Sequence, residues 1–310
     1  MSSAPEPTVR RFITVSPGLA LALAGATLFS AKAIFIKLAY RHGADPVTLI
    51  ALRMAFAAPL FALALWWSSR NAPALVAADH ARIVLLGLLG YYAASFLDFL
   101  GLQYISAGLE RLILYLTPTL VLLLSVAWLR RRVARVELAA LALSYAGIVL
   151  AFWHDVRVEG GRVALGSVLV FVSAVCYAIY LVVSGELVRR VGAIRLTAYA
   201  MCVSTAACLI QFALINPWSA LVQPAQVYGL MAATAVFSTV LPVFATMMAV
   251  ARIGAARTAL AGTIGPVATI ALAFVFLGEA VSGWQLAGTA LVLAGILVLS
   301  RASAAPRAAD

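Results

Sequence analysis

Charge is scarce in this chain: Asp, Glu, Lys and Arg make up 11% of its 310 residues, against 65% hydrophobic ones. That balance excludes a water-soluble fold and leaves lipid as the main solvent. Acidic residues are rarer than basic ones, 11 against 22, for a net charge of +11. The basic residues are neither gathered on one surface nor interleaved with stacking aromatics, so nucleic acid is not an expected partner. His42, His80 and His154, the only histidines, fall in or beside separate loops and cannot share a metal. The three cysteines, Cys176, Cys202 and Cys208, sit inside apolar runs without ligand spacing. They read as small packing residues, with no disulfide framework and no zinc site. Also missing are a Gly-x-Ser-x-Gly elbow, a His-Glu-x-x-His pair and paired membrane aspartates, which counts against an intramembrane enzyme. The lack of a P-loop counts against ATP hydrolysis. No cofactor and no metal are expected.

What the chain does have is long apolar runs. A helix needs roughly 20 residues to cross a hydrocarbon core of about 30 Å, and ten runs come within a few residues of that length. They lie near 17 to 39, 46 to 67, 82 to 104, 107 to 129, 135 to 153, 163 to 184, 196 to 215, 226 to 250, 255 to 277 and 283 to 300. Lipid offers the backbone no hydrogen-bond partners, and the runs lack the alternation of barrel strands, so the expected fold class is all-α. All six tryptophans, at 66, 67, 128, 153, 218 and 284, fall at or beyond the ends of these runs, as interfacial belts do.

Short cytoplasmic loops retain Lys and Arg. With a cytoplasmic N-terminus, fifteen arginines fall inside and three, Arg41, Arg157 and Arg162, outside. Both ends then face the cytoplasm, as an even number of crossings requires, and the expected location is the plasma (inner) membrane. Arg10-Arg11, the apolar stretch after them and Ser30-Ala31-Lys32-Ala33 could also be read as a signal peptide. The stretch is long for that, and its removal would break the charge asymmetry.

Sliding the chain on itself by 148 residues aligns its fourth and fifth runs with the ninth and tenth. Pro118 then falls on Pro266, Gly147 on Gly295, and Ile105, Ala107, Leu112 and Leu138 on identical residues. Five crossings per repeat insert the second half upside down, so the expected architecture is ten transmembrane helices as two inverted five-helix repeats. The first spans 17–154 and the second 163–300, with 1–16 and 301–310 as cytoplasmic tails. Inverted repeats commonly build secondary transporters, whose site lies near the midplane between the halves.

Two motif groups carry a resemblance. Tyr104-Ile105-Ser106-Ala107, Pro118 and Gly147 in one half, with Ala255, Pro266, Phe276-Leu277-Gly278-Glu279 and Gly295 in the other, resemble the EamA-type family of the drug/metabolite transporter superfamily. The resemblance covers about residues 17 to 300 and implies ten helices, a central cavity and movement of small organic molecules, often efflux. Where the second half has Leu277-Gly278-Glu279, the first has Leu129-Arg130-Arg131, a departure in a loop that counts against a role in substrate chemistry for that position.

Ionisable groups inside a bilayer cost at least about 2.5 to 3.5 kcal/mol each and so mark cavities, pairs or pathways. The first half holds Lys32, Lys37, Arg53, Asp98, Glu110 and Arg111. At about 1.5 Å per residue, Lys32 lies about 21 Å from the cytoplasmic start of its helix and Asp98 about 24 Å along its own. Arg53 lies about 10 Å below the outer start of its helix, at similar depth. Asp98 is therefore expected to balance Lys32 or Arg53, leaving a net positive site for an anionic group. Lys37, near a helix end, is expected to snorkel to the interface. Glu110 and Arg111 open their helix as a pair, shallow or facing the cavity. The repeat sets Tyr180 opposite Lys32 and Thr246 opposite Asp98. Tyr91, Tyr115 and Tyr177 are candidates to line the remainder, and Gly262, Thr263 and Gly265 beside Pro266 mark a candidate bend at the site.

These residues point to a secondary carrier, an exporter of small organic metabolites such as amino acids working by alternating access. Its expected partners are a small-molecule solute and the lipid bilayer. Asp98 and Glu110 are the candidates to carry a coupling proton, although an Asp paired with Lys stays ionised. An intramembrane enzyme or a lipid-handling protein is the alternative.

Overall fold

The computed structural model of the protein describes residues 17–129, 135–159, 162–253 and 264–304. Among the described residues every regular element is helical. The first half holds α1 (Pro17–Tyr40), α2 (Pro46–Ser69), α3 (Ala77–Leu102), α4 (Ala107–Leu114), α5 (Thr117–Leu129) and α6 (Arg135–Glu159). The second holds α7 (Arg162–Val191), α8 (Ala193–Ile215), α9, α10 (Ile264–Leu277) and α11 (Gly283–Ala304). Helix α9 runs through Ala225–Ala235, Val236–Val240 and Leu241–Ile253. Among the described residues seven helical stretches are long and apolar enough to span a bilayer, Ala107–Leu124 across α4 and α5 being one of them. Shorter apolar stretches at Leu138–His154, Ile264–Leu277 and Gly283–Val298 lie where the fifth, ninth and tenth crossings are expected. The protein is an integral membrane protein.

The fourth run differs from the continuous helix expected over 107 to 129. It breaks into α4 and α5 after Tyr115, whose ψ is −4°. Pro118 has no N–H to offer the carbonyl of Leu114. The Thr117 hydroxyl donates to that carbonyl instead, at 2.6 Å, and Thr119 donates to the Leu116 carbonyl at 2.7 Å beside the Leu120 N–H. The break sits one turn beyond Glu110 and Arg111, so those two side chains ride on a short, separately held helix. Other ends run past the expected limits. Helix α3 starts at Ala77, five residues before Arg82, and α7 continues past Arg190, because charged residues suit the headgroup region.

At the start of α2, the Asp45 carboxylate accepts from the N–H groups of Val47 and Thr48, both at 3.0 Å, as an N-cap. Asn216, just past α8, donates to the same carboxylate at 3.0 Å. Burial alone would raise the affinity of Asp45 for a proton. The bonds from Thr48, Asn216 and Val47 outweigh it and hold the carboxyl below its ordinary value.

Packing pairs the halves. Helix α2 lies on α8, α6 on α11, α3 on α7, α1 on α9 and α10, and α4 and α5 on α7. Exchanging each element for its counterpart 148 residues away returns the same set of pairs. The backbone repeats a subtler feature as well: α3 is π-wound at Leu88–Ala93 and α9 at Val236–Val240, 148 residues on. Pro242 follows the second of these and removes another helical donor.

Large apolar side chains such as Leu214, Trp67 and Trp218 are mostly exposed, as lipid-facing residues are, while the deepest core gathers Leu49, Met54, Phe61 and Phe99. Small residues let α6 and α11 approach closely. A Cβ on Gly147 would stand 2.5 Å from the Gly288 carbonyl oxygen, and one on Gly295 would stand 2.7 Å from that of Ala140. These two contacts are counterparts under the repeat. Gly147→Val is expected to cost about 1–3 kcal/mol by overpacking against backbone that has nowhere to go. Thermal unfolding in detergent should show a lower midpoint for it, whereas Ala146→Val beside it should stay near wild type.

Candidate functional site

Three helices bring opposite charge together at one depth. Lys32 of α1 points its ammonium at Asp98 of α3, with Nζ 2.5 Å from Oδ2, and at Glu110 of α4, 3.0 Å from Oε1. Both carboxylates are buried, Asp98 at 3% exposure and Glu110 at 0%. One ammonium thus faces two carboxylates, and among the described residues Asp98 Oδ1 and Glu110 Oε2 have no donor while Glu110 Oε1 has only the Lys32 ion pair. The depth arithmetic put Lys32 and Asp98 level. That Glu110 would join them, and not remain in a shallow pair with Arg111, was open in the sequence.

Arg53 of α2 lies beside this cluster. Its guanidinium carbon sits 4.7 Å above the ring of Phe99, one residue beyond Asp98. The side chain is buried, and among the described residues its Nε and Nη2 have no hydrogen-bond partner. Tyr40 closes the neighbourhood by donating its hydroxyl to the Phe99 carbonyl at 2.6 Å.

Adjacent residues on a helix point about 100° apart, so Arg111 turns away from Glu110. Its guanidinium carbon lies 5.2 Å from the Tyr115 ring centre, and both side chains occupy the space that a Cβ on Gly265 would need. Gly265 is therefore small to admit Arg111 and Tyr115 between α4 and α10. Ser30 of α1 donates to the Gly265 carbonyl at 3.0 Å, and Thr269 donates to the Ser30 carbonyl at 3.4 Å. Sequence reasoning missed Ser30 and Thr269, because one hydroxyl in an apolar helix carries no signal of its own.

Tyr91, Tyr177 and Tyr180 form a second group. Tyr91 and Tyr180 meet edge to face with ring centres 4.9 Å apart and hydroxyls 3.3 Å apart, and Tyr177 stacks on Tyr180 at 5.7 Å. Tyr91 is seven residues before Asp98 on α3, about 10 Å of rise, so this group stands apart from the charges. Thr246 packs against Gly25, about 10 Å along α1 from Lys32. It is not brought to the charged cluster. Thr263 lies outside the described residues.

Two contacts at the end of α1 were not expected. The Lys37 ammonium pairs with Glu279 at 2.9 Å. Glu279, discounted as a loop residue, also accepts from the Ala107 N–H at 3.1 and 3.3 Å. The loop folds back on α1 and α4, which are distant in sequence, and no local pattern encodes that return.

The sequence profile described as the EamA-like transporter family matches residues 16–153 and again residues 164–301. "Uncharacterized transporter YcbK" of Bacillus subtilis (strain 168) is 32% identical over 280 residues, 87% of this chain and 88% of that protein. The "Probable terminal-alkyne amino-acid exporter" of Streptantibioticus cattleyicolor is 27% identical over 73% of this chain and 74% of its own length. A solved crystal structure shares the fold at a TM-score of 0.64 and 20% identity, covering 94% of this chain and 99% of that one.

Proposed function

Since the chain belongs to the EamA-like transporter family and is a membrane transporter, we propose that it exports small organic metabolites as a secondary carrier. Ten crossings form two inverted halves, 17–154 and 163–300, which rock about a site at Lys32, Asp98, Glu110, Arg53 and Arg111. Both termini face the cytoplasm across the inner membrane.

The observation that carries this reading is the coexistence of unpartnered buried groups of both signs. The Arg53 guanidinium can receive a carboxylate or another anionic group, while Asp98 Oδ1 and Glu110 Oε2 can receive an ammonium. Such a site suits zwitterionic solutes, amino acids among them, and the name of the relative from Streptantibioticus is in keeping with that. One ammonium shared by two carboxylates leaves an excess negative charge, and Glu110 is the group proposed to carry a coupling proton. The tyrosines at 91, 177 and 180 line the approach to the site.

Proteoliposomes containing the purified protein and a panel of labelled amino acids, organic acids and amines test the proposal. Exchange is expected for solutes bearing both charges, at a rate at least about tenfold above empty vesicles. If nothing exchanges while a lipid-linked substrate is chemically altered, the carrier reading is lost.

A further inference from the structure

We propose that Glu279 is a positioning residue that latches the site shut toward one face of the membrane, and that the repeat supplies this latch at that face alone. This rests on the carrier reading above. The supporting geometry begins with Gly278, whose φ of +68° turns the chain at the end of α10. Its N–H and that of Glu279 both bond to the Ala273 carbonyl, so Glu279 projects from a fixed turn.

From there the carboxylate holds two helices. Its ion pair with Lys37 holds α1 five residues beyond Lys32, and its bond to the Ala107 N–H holds α4 three residues before Glu110. The carboxylate meets the positive end of the α4 dipole, and Ser106 completes the cap by accepting from the Leu109 N–H at 3.1 Å. Arg41 adds a second tie from α1, donating to the Leu277 carbonyl at 2.5 Å. Lys32 and Glu110 are thus each suspended within about two turns of one second-half carboxylate. Parting the latch separates the two helices that close over them.

The repeat makes the latch one-sided. The residues 148 positions from Lys37 and Glu279 are Gly185 and Arg131, which cannot form the pair. Among the described residues the opposite face is tied by different contacts: Arg190 of α7 pairs with Asp79 of α3, and Arg195 donates to the Pro73 carbonyl at 2.8 Å. Two halves related by symmetry would otherwise give equal closures. The latch biases the resting carrier toward closure at the end of α1, the outer face on the arginine distribution.

Cys208 is a native reporter, buried at 1% exposure and close enough to Arg53 to feel its charge. The test uses full-length protein with Cys176 and Cys202 replaced by alanine, in oriented vesicles, with an anionic, impermeant methanethiosulfonate. Glu279→Ala should raise Cys208 labelling from the latch face at least about fivefold and leave the opposite face unchanged or slower. Asp79→Asn should do the reverse. In exchange assays Glu279→Ala should lower KM at the latch face and raise it at the other, whereas a merely structural defect would reduce the active fraction and leave both constants alone. Unchanged labelling at the latch face together with unchanged KM values, or a rise in labelling at both faces alike, would overturn the proposal. Labelling needs no solute, so a wild-type protein that transports nothing, with Glu279→Ala still showing the labelling change, would sink the carrier reading and spare the latch.

Discussion

Lys32→Ala is expected to abolish transport and to destabilise the protein more than any other single change in the charged cluster. The reason is the count of charges: one ammonium faces two buried carboxylates, 2.5 and 3.0 Å away. Removing one partner of a buried pair costs about 3–5 kcal/mol because a charge is left uncompensated, and here two would be. Asp98→Asn leaves Lys32 with Glu110 and should cost less. The triple variant Lys32→Ala, Asp98→Asn, Glu110→Gln strands none of the three cluster charges, although the Arg53 guanidinium beside them loses the Asp98 carboxylate, and it should recover part of the lost unfolding midpoint. It should still transport at less than about one hundredth of the wild-type rate, since about 2.7 kcal/mol of lost binding corresponds to a factor of 100. Thermal unfolding and counterflow measured on the same preparations separate the two effects. Wild-type transport by Lys32→Ala, or by the triple variant, would remove the cluster from the site.

Much of this arrangement follows from lengths and depths alone. The rise of a helix and the thickness of a bilayer are fixed, so counting residues from each end put Lys32, Asp98 and Arg53 at one level. The same arithmetic located the long apolar helices, although charged ends such as Arg82 and Arg190 extend further into the headgroups than the apolar runs do. Rotation about each helix axis is harder to read. Depth cannot say that Glu110 faces Lys32 while Arg111 faces Tyr115 and Gly265, because that depends on how α4 is turned, and α4 is cut from α5 at Tyr115 by Pro118.

Contacts made at long sequence separation were the least legible. The carboxylate of Glu279 lies against Lys37, 242 positions away, and against Ala107, 172 away. A loop glutamate gives no hint of either. The offset of 148 residues was visible in Pro118 and Pro266, and it also carries features with no residue signature, such as the π turns at Leu88–Ala93 and Val236–Val240. The repeat was therefore easier to detect than its consequences. It predicted Thr246 and Tyr180 opposite Asp98 and Lys32, yet equivalence by symmetry places residues at matching positions in two halves, not beside one another. Thr246 lies against Gly25, and Tyr180 against Tyr91.

Arg53→Met should have effects of opposite sign on transport and on stability. In the resting structure the guanidinium is buried at 4% exposure against the face of Phe99, with Nε and Nη2 unpartnered among the described residues. A charged donor in that state costs about 1–3 kcal/mol, and methionine fills a similar volume without it. The variant should therefore unfold at a higher temperature, the usual exchange between stability and an active site that waits for its ligand. If a solute carboxylate supplies the missing partners, transport of solutes bearing one should fall by at least about tenfold through a raised KM, since a charge-assisted bond is worth about 1.5–3 kcal/mol. Amines lacking a carboxylate should be affected much less. Arg53→Lys should recover little, because an ammonium on a shorter reach does not reproduce the planar fork. A lower unfolding temperature for Arg53→Met would mean that the guanidinium already has partners that matter to the fold. An unchanged KM for carboxylate solutes would mean that the anionic end of the solute is held elsewhere, with the half-buried Arg111 the next guanidinium to test.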